Sequence, residues 1–305
     1  MSKYSPEFFT HMKREYMSLN AVKQAIRLGA ILEARVIRCN QDNSLVLDLG
    51  KDIVGIINFD EVEYHPDKSP IKPASATSKV NKHIKFIPLE ITKEDDKYIV
   101  KCSRKQVQEK CYNEYISKLL PGDVIDAYAL KIVSYGIFCD IGCGIVALLP
   151  TNNISITHIV NPIDELKGIS TLKVVVKSID DNYKIELSHK ELLGTWEQES
   201  EKFKQDDVVC GTVLSIEEYG VFVRLSQNLS GLAEKTDIEL VPGDTVLTRV
   251  QCIQSKNMKI KLSIISKEDN TQIEHTKFKY YITDSHISDW KYSTDTAKKQ
   301  IESHF

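Results

Sequence analysis

Apolar residues along this chain fall in short alternating or β-branched runs, such as DVIDAYALKIV (123–133) and DVVCGTVLSI (207–216), broken by Gly, Asp and Asn. A period of two with turn residues at short intervals predicts the strands of small barrels, not a parallel α/β sheet. Two stretches align without a gap: KIVSYGIFCDIGCGIVALLP (131–150) and SIEEYGVFVRLSQNLSGLAE (215–234), 84 residues apart, share Tyr-Gly-(Ile/Val)-Phe-x-x-(Ile/Leu). Both repeats close on Leu-Ser, within KIELSHK and KIKLSII. A weaker third copy, NSLVLDLGKDIVGIIN (43–58), lies 92 residues before the second and closes on KCSRK near Arg104. A fixed internal period marks a repeated module. The expected fold is mainly β: three tandem five-stranded barrels joined by short helical linkers.

Helices are confined to the ends and connections. Ser5-Pro6 resembles an N-cap with proline at the first helical position, followed by Phe8, Phe9, Met12, Tyr16 and, after a break near Ser18, Val22 and Ile26 before Gly29. Residues 104–119 and 190–203 read as helical linkers, and neither is Gly/Ser-rich, so the modules are expected to be semi-rigidly spaced. The expected organisation is a helical lead (1–28), a degenerate barrel (29–105), a linker (106–120), a barrel (121–190), a linker (191–205), a barrel (206–266) and an aromatic tail (267–305). The tail is expected to dock on the third barrel.

The repeated aromatic pairs carry the sharpest functional signal. Residues three apart on a regular strand point to opposite faces, so Tyr135 and Phe138, or Tyr219 and Phe222, share a surface only where the strand is irregular. A bulge at the intervening Gly136 and Gly220 would re-aim one ring. Ile137, Cys139 and Ile141 form an inward row, which leaves Phe138 outward beside Asp140. Two exposed rings make a platform for unpaired bases. Phosphate contacts are expected from Lys131 and Lys184 in the second repeat and from Arg224, Lys259 and Lys261 in the third. Arg224 takes the place beside Phe222 that Asp140 holds beside Phe138, and this contrast predicts stronger binding by the third repeat.

Composition narrows the field. The 42% apolar and 27% charged fractions are ordinary for globular chains. No apolar run approaches the roughly 20 residues that span a bilayer, and MSKYSPEFFTHMKREY lacks the apolar region of an export signal. A cytoplasmic protein without a membrane partner is expected. Seven cysteines, with no Cys-x-x-Cys, argue against a disulfide framework or a zinc knuckle. A net charge of −3 gives no global basic field, so affinity for a polyanion would come from stacking and local basic stripes. There is no His-Glu-x-x-His, no phosphate loop and no Gly-x-Ser-x-Gly. Glu94-Asp95-Asp96 and Asp180-Asp181 sit in expected turns, and His189 has no evident ligand partner. No enzyme activity, metal or cofactor is expected.

The repeats resemble S1 domains, the OB-fold RNA-binding module with a Gly-Asp entry, an aromatic-Gly-x-Phe-Val strand, a Gly-Leu-Leu-His strand and a closing Leu-Ser-x-Lys. The chain, including KELLGTWE (190–197) and the aromatic tail, is similar to S1-like ribosomal proteins of clostridial-type bacteria. Where that pattern has histidine, this chain has Asn58, Pro150 and Glu234, and the first repeat replaces both aromatics, by Asn43 and Val46. The resemblance implies a monomer that binds single-stranded RNA, mRNA above all, through repeats two and three, with the 30S ribosomal subunit a further partner and repeat one a structural or protein-docking barrel. The competing reading is an adaptor that binds mainly proteins of the ribosome, transcription or RNA-degradation machinery.

Overall fold

A computed structural model describes residues 4–7, 16–159, 162–165, 169–180, 183–268 and 278–305. The protein is mainly β, and all its described strands but two close into rings of five. It divides into two compact units, Met1–Leu119 with Asp140–Val146 and Asp180–Tyr183, and Leu120–Cys139 with Ala147–Ile179 and Lys184–Phe305.

The first unit contains β1 (Leu32–Cys39), β2 (Leu45–Asp48), β3 (Ile53–Ile57), β4 (His83–Glu94) and β5 (Lys97–Ser103), closed in the order β1-β2-β3-β5-β4. Parallel pairing of β3 with β5, from Ile53↔Tyr98 to Ile57↔Cys102, joins the two halves of the ring. Leu45, Leu47, Ile57, Ile84, Phe86 and Val100 fill it. Closure leaves no long unpaired edge.

The helix Leu19–Leu28 starts at Ser18, whose hydroxyl accepts the Ala21 N–H at 3.2 Å, and ends at Gly29 in the left-handed region, φ 58°. Ser5, Pro6 and Glu7 are irregular, and Ser5 and Glu7 are engaged with Lys85 and Arg104. The expected Phe8, Phe9 and Met12 lie outside the described residues. Glu7 is fully buried and grips Arg104 with both oxygens, from Nε and Nη2, each at 3.0 Å. The Lys85 N–H donates to the same carboxylate at 3.0 Å, and Lys85 Nζ donates to the Ser5 carbonyl at 2.6 Å.

Asp140 belongs to this cluster. It leaves the barrel wall outward, as alternation predicts, but it is buried rather than presented beside Phe138 as a solvent-facing charge. Its carboxylate accepts the N–H groups of Glu7 at 2.7 Å and of Gly142 at 2.8 Å. Asp140 therefore presents no solvent-facing charge beside Phe138. Its carboxyl is pushed up to about 7, first by burial and then by the Glu7 charge, against the pull of these N–H groups and of Arg104.

The linker forms a helix at Lys105–Glu114 and a short 3-10 turn at Ile116–Lys118. Beyond it lie β6 (Val124–Val133), β7 (Gly136–Gly142), β8 (Ile145–Pro150), β9 (Thr171–Ile179) and β10 (Ile185–Ser188), closed as β10-β8-β7-β6-β9. A 3-10 turn at Lys190–Leu193 and the helix Trp196–Ser200 lead to β11 (Val208–Glu217), β12 (Gly220–Ser226), β13 (Leu229–Ala233), β14 (Thr245–Gln254) and β15 (Lys259–Glu268), closed as β11-β12-β13-β15-β14.

The tail does more than dock on the third barrel. Its strands β16 (Asp289–Lys291) and β17 (Glu302–His304) pair with each other, and Trp290 and Tyr292 join the third core. Tyr292 donates its hydroxyl to the Asn228 carbonyl at 2.6 Å, while the Val124 N–H donates to Ser285 and the Ile287 N–H to the Gly122 carbonyl, both at 2.9 Å. Tail segments thus bond to both later barrels within the second unit. His189 is structural there. It is buried between the Phe278 and Tyr280 rings with Nδ1 3.1 Å from the Ile154 carbonyl, and burial pushes its pKa down to about 4.

Two outcomes follow for the first unit. Removing one partner of a buried ion pair strands the other charge, so Arg104→Ala is expected to cost about 3–5 kcal/mol, read as lost hydrogen-exchange protection of the β4 and β5 amides. The raised Asp140 pKa favours the protonated folded state, a contribution complete below the ordinary carboxylate value and lost as pH rises through about 7. Asp140→Asn should therefore flatten the decline in that protection measured between about pH 5 and pH 8.

Candidate nucleic-acid interface

In both later barrels the tyrosine sits in the hairpin turn and the phenylalanine on the strand that follows. Ser134-Tyr135 turns the chain between β6 and β7, and Glu218-Tyr219 between β11 and β12. Tyr135 is 59% exposed and Tyr219 67%, while Phe138 and Phe222 are half-buried. The ring centroids lie 6.1 Å apart at 89° in the second barrel and 6.2 Å apart at 90° in the third. Edge-to-face packing of this kind stabilises each pair. It also means that a base stacked on one ring meets the edge of the other.

The glycine between them allows a close approach of strands in both barrels, and in the third barrel no bulge falls at it. A Cβ on Gly136 would stand 2.5 Å from the Leu149 carbonyl oxygen, and one on Gly220 would stand 2.3 Å from that of Ala233. Only a residue without a side chain lets these strands approach so closely. Gly220 pairs regularly with Glu217, and the irregularity of that hairpin lies between Val213 and Ser215 on β11. In the third barrel the turn, not a bulge, brings Tyr219 to the face of Phe222. Ile137, Cys139 and Ile141 point inward and are buried.

Cross-strand register places the cations. In the third barrel Ser215, Phe222, Leu232 and Lys261 form one row across β11, β12, β13 and β15. Lys259 and Lys261 are exposed on the outer side of β15, with Ile260 and Leu262 turned inward. Arg224 lies two residues along β12 from Phe222, between Thr212 and Ser230. In the second barrel Lys131 is exposed on β6, at the place Ser215 holds in the aligned repeat, and Lys184 is exposed before β10. There the row ends differently. Glu186, which pairs with Leu148, stands where the third barrel has Lys261.

Glu186 accepts Lys177 Nζ at 2.8 Å and the Asn153 amide at 2.9 Å. The Lys177 hydrogen bond leads in holding its pKa below the ordinary glutamate value, so it is ionised. Lys177 and Glu186 are residues that sequence reasoning missed. Aligning KIELS with KIKLS would have revealed the exchange of Glu186 for Lys261.

The first barrel offers no such surface. Asn43 takes a left-handed turn conformation, φ 63°, and Val46 is buried, as are its neighbours Leu45 and Leu47. Both faces of β2 are covered. Of the residues that replace the family histidine, Asn58 and Glu234 are exposed and Pro150 is half-buried. Among the described residues no cluster of His, Cys, Asp or Glu is arranged to hold a metal, and no helix is long and apolar enough to cross a membrane.

Residues 118–190 match the family described as S1 RNA binding domain. The chain is 31% identical over 189 residues to small ribosomal subunit protein bS1 of Staphylococcus epidermidis, covering 57% of this chain and 48% of that protein. It is 29% identical over 252 residues to the bS1 homolog of Bacillus subtilis, covering 78% and 63%. The chain thus spans less than two thirds of the length of these curated relatives. A solved multidomain protein with nucleic acid binding domains from Streptococcus pneumoniae aligns over 78% of this chain and 74% of its own at 14% identity, with a TM-score of 0.25. Residues 118–190 thus match the S1 RNA binding domain family, and the chain on either side of that match is similar to ribosomal protein bS1.

Proposed function

We propose that this protein is built of three S1-type OB barrels and binds single-stranded RNA on the outer faces of the second and third. It acts in translation, with mRNA as its ligand and the small ribosomal subunit as a partner. The observation that carries the reading is the pair of solvent-open ring sets, Tyr135 with Phe138 and Tyr219 with Phe222. Each ring offers a π-face to an unpaired base, and every base has one, so sequence preference is degenerate. The proposed phosphate contacts are Lys131 and Lys184 in one barrel and Arg224, Lys259 and Lys261 in the other. They position the strand without reading it.

Local charge ranks the two barrels. Lys261 adds a cation to the row of Phe222, whereas Glu186 brings an anion partly offset by Lys177 to the equivalent row. The third barrel is the stronger RNA site on this argument, which replaces the one based on Asp140. The first barrel has no exposed ring pair and serves a structural or docking role. A net charge of −3 favours the second reading, an adaptor for protein partners.

Fluorescence anisotropy with an oligouridylate separates the two. Phe138→Ala and Phe222→Ala are each expected to weaken binding by about 1–3 kcal/mol, and log affinity should fall with log salt by about 0.7 per phosphate contacted. Affinity indifferent to both changes would leave the adaptor standing. The ranking has its own check. Glu186→Lys should strengthen binding, and Lys261→Glu should weaken it more than Lys184→Glu does.

A further inference from the structure

The outer face of the second barrel repeats that of the third up to the end of the row that holds the phenylalanine. A Cβ on Gly136 would meet the Leu149 carbonyl oxygen at 2.5 Å and Leu148 Cδ1 at 3.2 Å, as one on Gly220 would meet the Ala233 carbonyl oxygen at 2.3 Å and Leu232 Cδ1 at 3.0 Å. This common approach sets Phe138 beside Leu148, as Phe222 sits beside Leu232. Glu186 pairs with Leu148, so Phe138, Leu148 and Glu186 form one outward row, all three half-buried. Neighbouring strands stand about 4.8 Å apart, and a base laid over Phe138 and Leu148 turns its edge toward Glu186.

Glu186 is held in that position from behind. Its Oε1 accepts Lys177 Nζ at 2.8 Å and Asn153 Nδ2 at 2.9 Å. Asn153 is buried; its amide also donates to the Leu187 carbonyl at 3.2 Å, and its backbone carbonyl accepts the His189 N–H at 2.8 Å. Both donors use Oε1, and a carboxylate offers about four acceptor sites over its two oxygens. Oε2 keeps acceptor capacity on a side chain that is 40% exposed.

An ionised carboxylate accepts and cannot donate, and this sorts the bases. Adenine, cytosine and guanine each carry an exocyclic amino group that can donate to it, whereas uracil carries a carbonyl oxygen on either side of a single N–H and repels it. Unpaired bases expose these edges for such contacts. Adenine and uracil differ most, because adenine has no carbonyl and uracil no amino group. Lys261 holds the aligned place in the third barrel and can only donate, so this discrimination belongs to the second barrel.

We propose that Glu186, oriented by Lys177 and Asn153, reads the edge of a base stacked on the Tyr135–Phe138 platform and selects bases with an exocyclic amino group over uracil. This rests on the RNA-binding reading above and adds base selectivity to one of its two platforms. Stacking accepts any base; the acceptor at its edge does not.

The test uses the full chain carrying Phe222→Ala, so that the second platform dominates, with oligoadenylate and oligouridylate of equal length in fluorescence anisotropy. The readout is the ratio of the two affinities. Glu186→Gln keeps the shape and an acceptor for Lys177, and gains an N–H that can donate to a uracil carbonyl. It should lower the adenylate-to-uridylate ratio roughly tenfold, near the worth of one charged hydrogen bond. A change in phosphate repulsion or in the folded fraction scales both affinities alike, so only a base-reading role moves the ratio. If Glu186→Gln leaves the ratio unchanged or raises it while Phe138→Ala weakens both RNAs, the edge reading is wrong and the platform stands. If neither variant changes either affinity, RNA binding by the second barrel fails and the edge reading with it.

Discussion

The close approach of two strands at a glycine sets the geometry on which the ring pairs depend. At Gly136 and Gly220 the neighbouring carbonyl oxygen occupies the space a Cβ would need, which fixes the start of β7 and β12 against β8 and β13. With that end pinned, a two-residue turn must carry the tyrosine. The next outward place on the strand, two residues past the glycine, holds the phenylalanine, since Val221 and Val223 are turned into the core. The two side chains then meet edge to face. Their exposure is a consequence of a filled interior. A closed five-stranded ring has room inside for one row of side chains per strand, and the other row must face outward.

A surface built this way needs little net charge. Stacking contributes about 1–3 kcal/mol per base whatever the sign of the molecule, and screening limits the reach of distant acidic residues to about 8–10 Å at physiological salt. What matters is the charge within that distance of the rings. Lys259, Lys261 and Arg224 stand on the third barrel's outer face, whereas the second pairs Glu186 with Lys177. Two barrels of one ancestry pattern and similar ring geometry thus differ in electrostatics. Global pI, at 6.3, reports neither.

The sequence told much about what a strand does and little about what covers it. Alternation alone placed Ile137, Cys139 and Ile141 inside and Phe138 outside, because inward and outward are local properties of a strand with a period of two. The same rule put Asp140 outward and was correct about direction. It could not foresee that Glu7, 133 residues away, bonds that carboxylate and buries it. The break near Ser18 and the stop at Gly29 were legible, whereas no local motif carries information about the Lys85 and Arg104 contacts of the Ser5–Glu7 segment. Lys202 and Lys279 lie 77 residues apart, and nothing local to either marks the Tyr281 ring they share.

The second unit makes its two platforms parts of one body. Asn228 illustrates the means: its side chain accepts the Ile156 N–H at 2.8 Å and donates to the Lys190 and Gly194 carbonyls at 3.0 and 2.9 Å, while its own carbonyl accepts Tyr292. One buried amide thus fastens the region after β8, the linker, β13's approach and the tail. Separate barrels on a slack tether would each lose orientational freedom on engaging a strand. Barrels already fixed have met that cost during folding, which is the physical meaning of preorganisation. A rigid spacing also selects among ligands, because linked sites reinforce one another only for a strand long enough to span them. On the RNA-binding reading proposed above, such a spacing would measure RNA length where stacking, indifferent to base identity, leaves sequence unread.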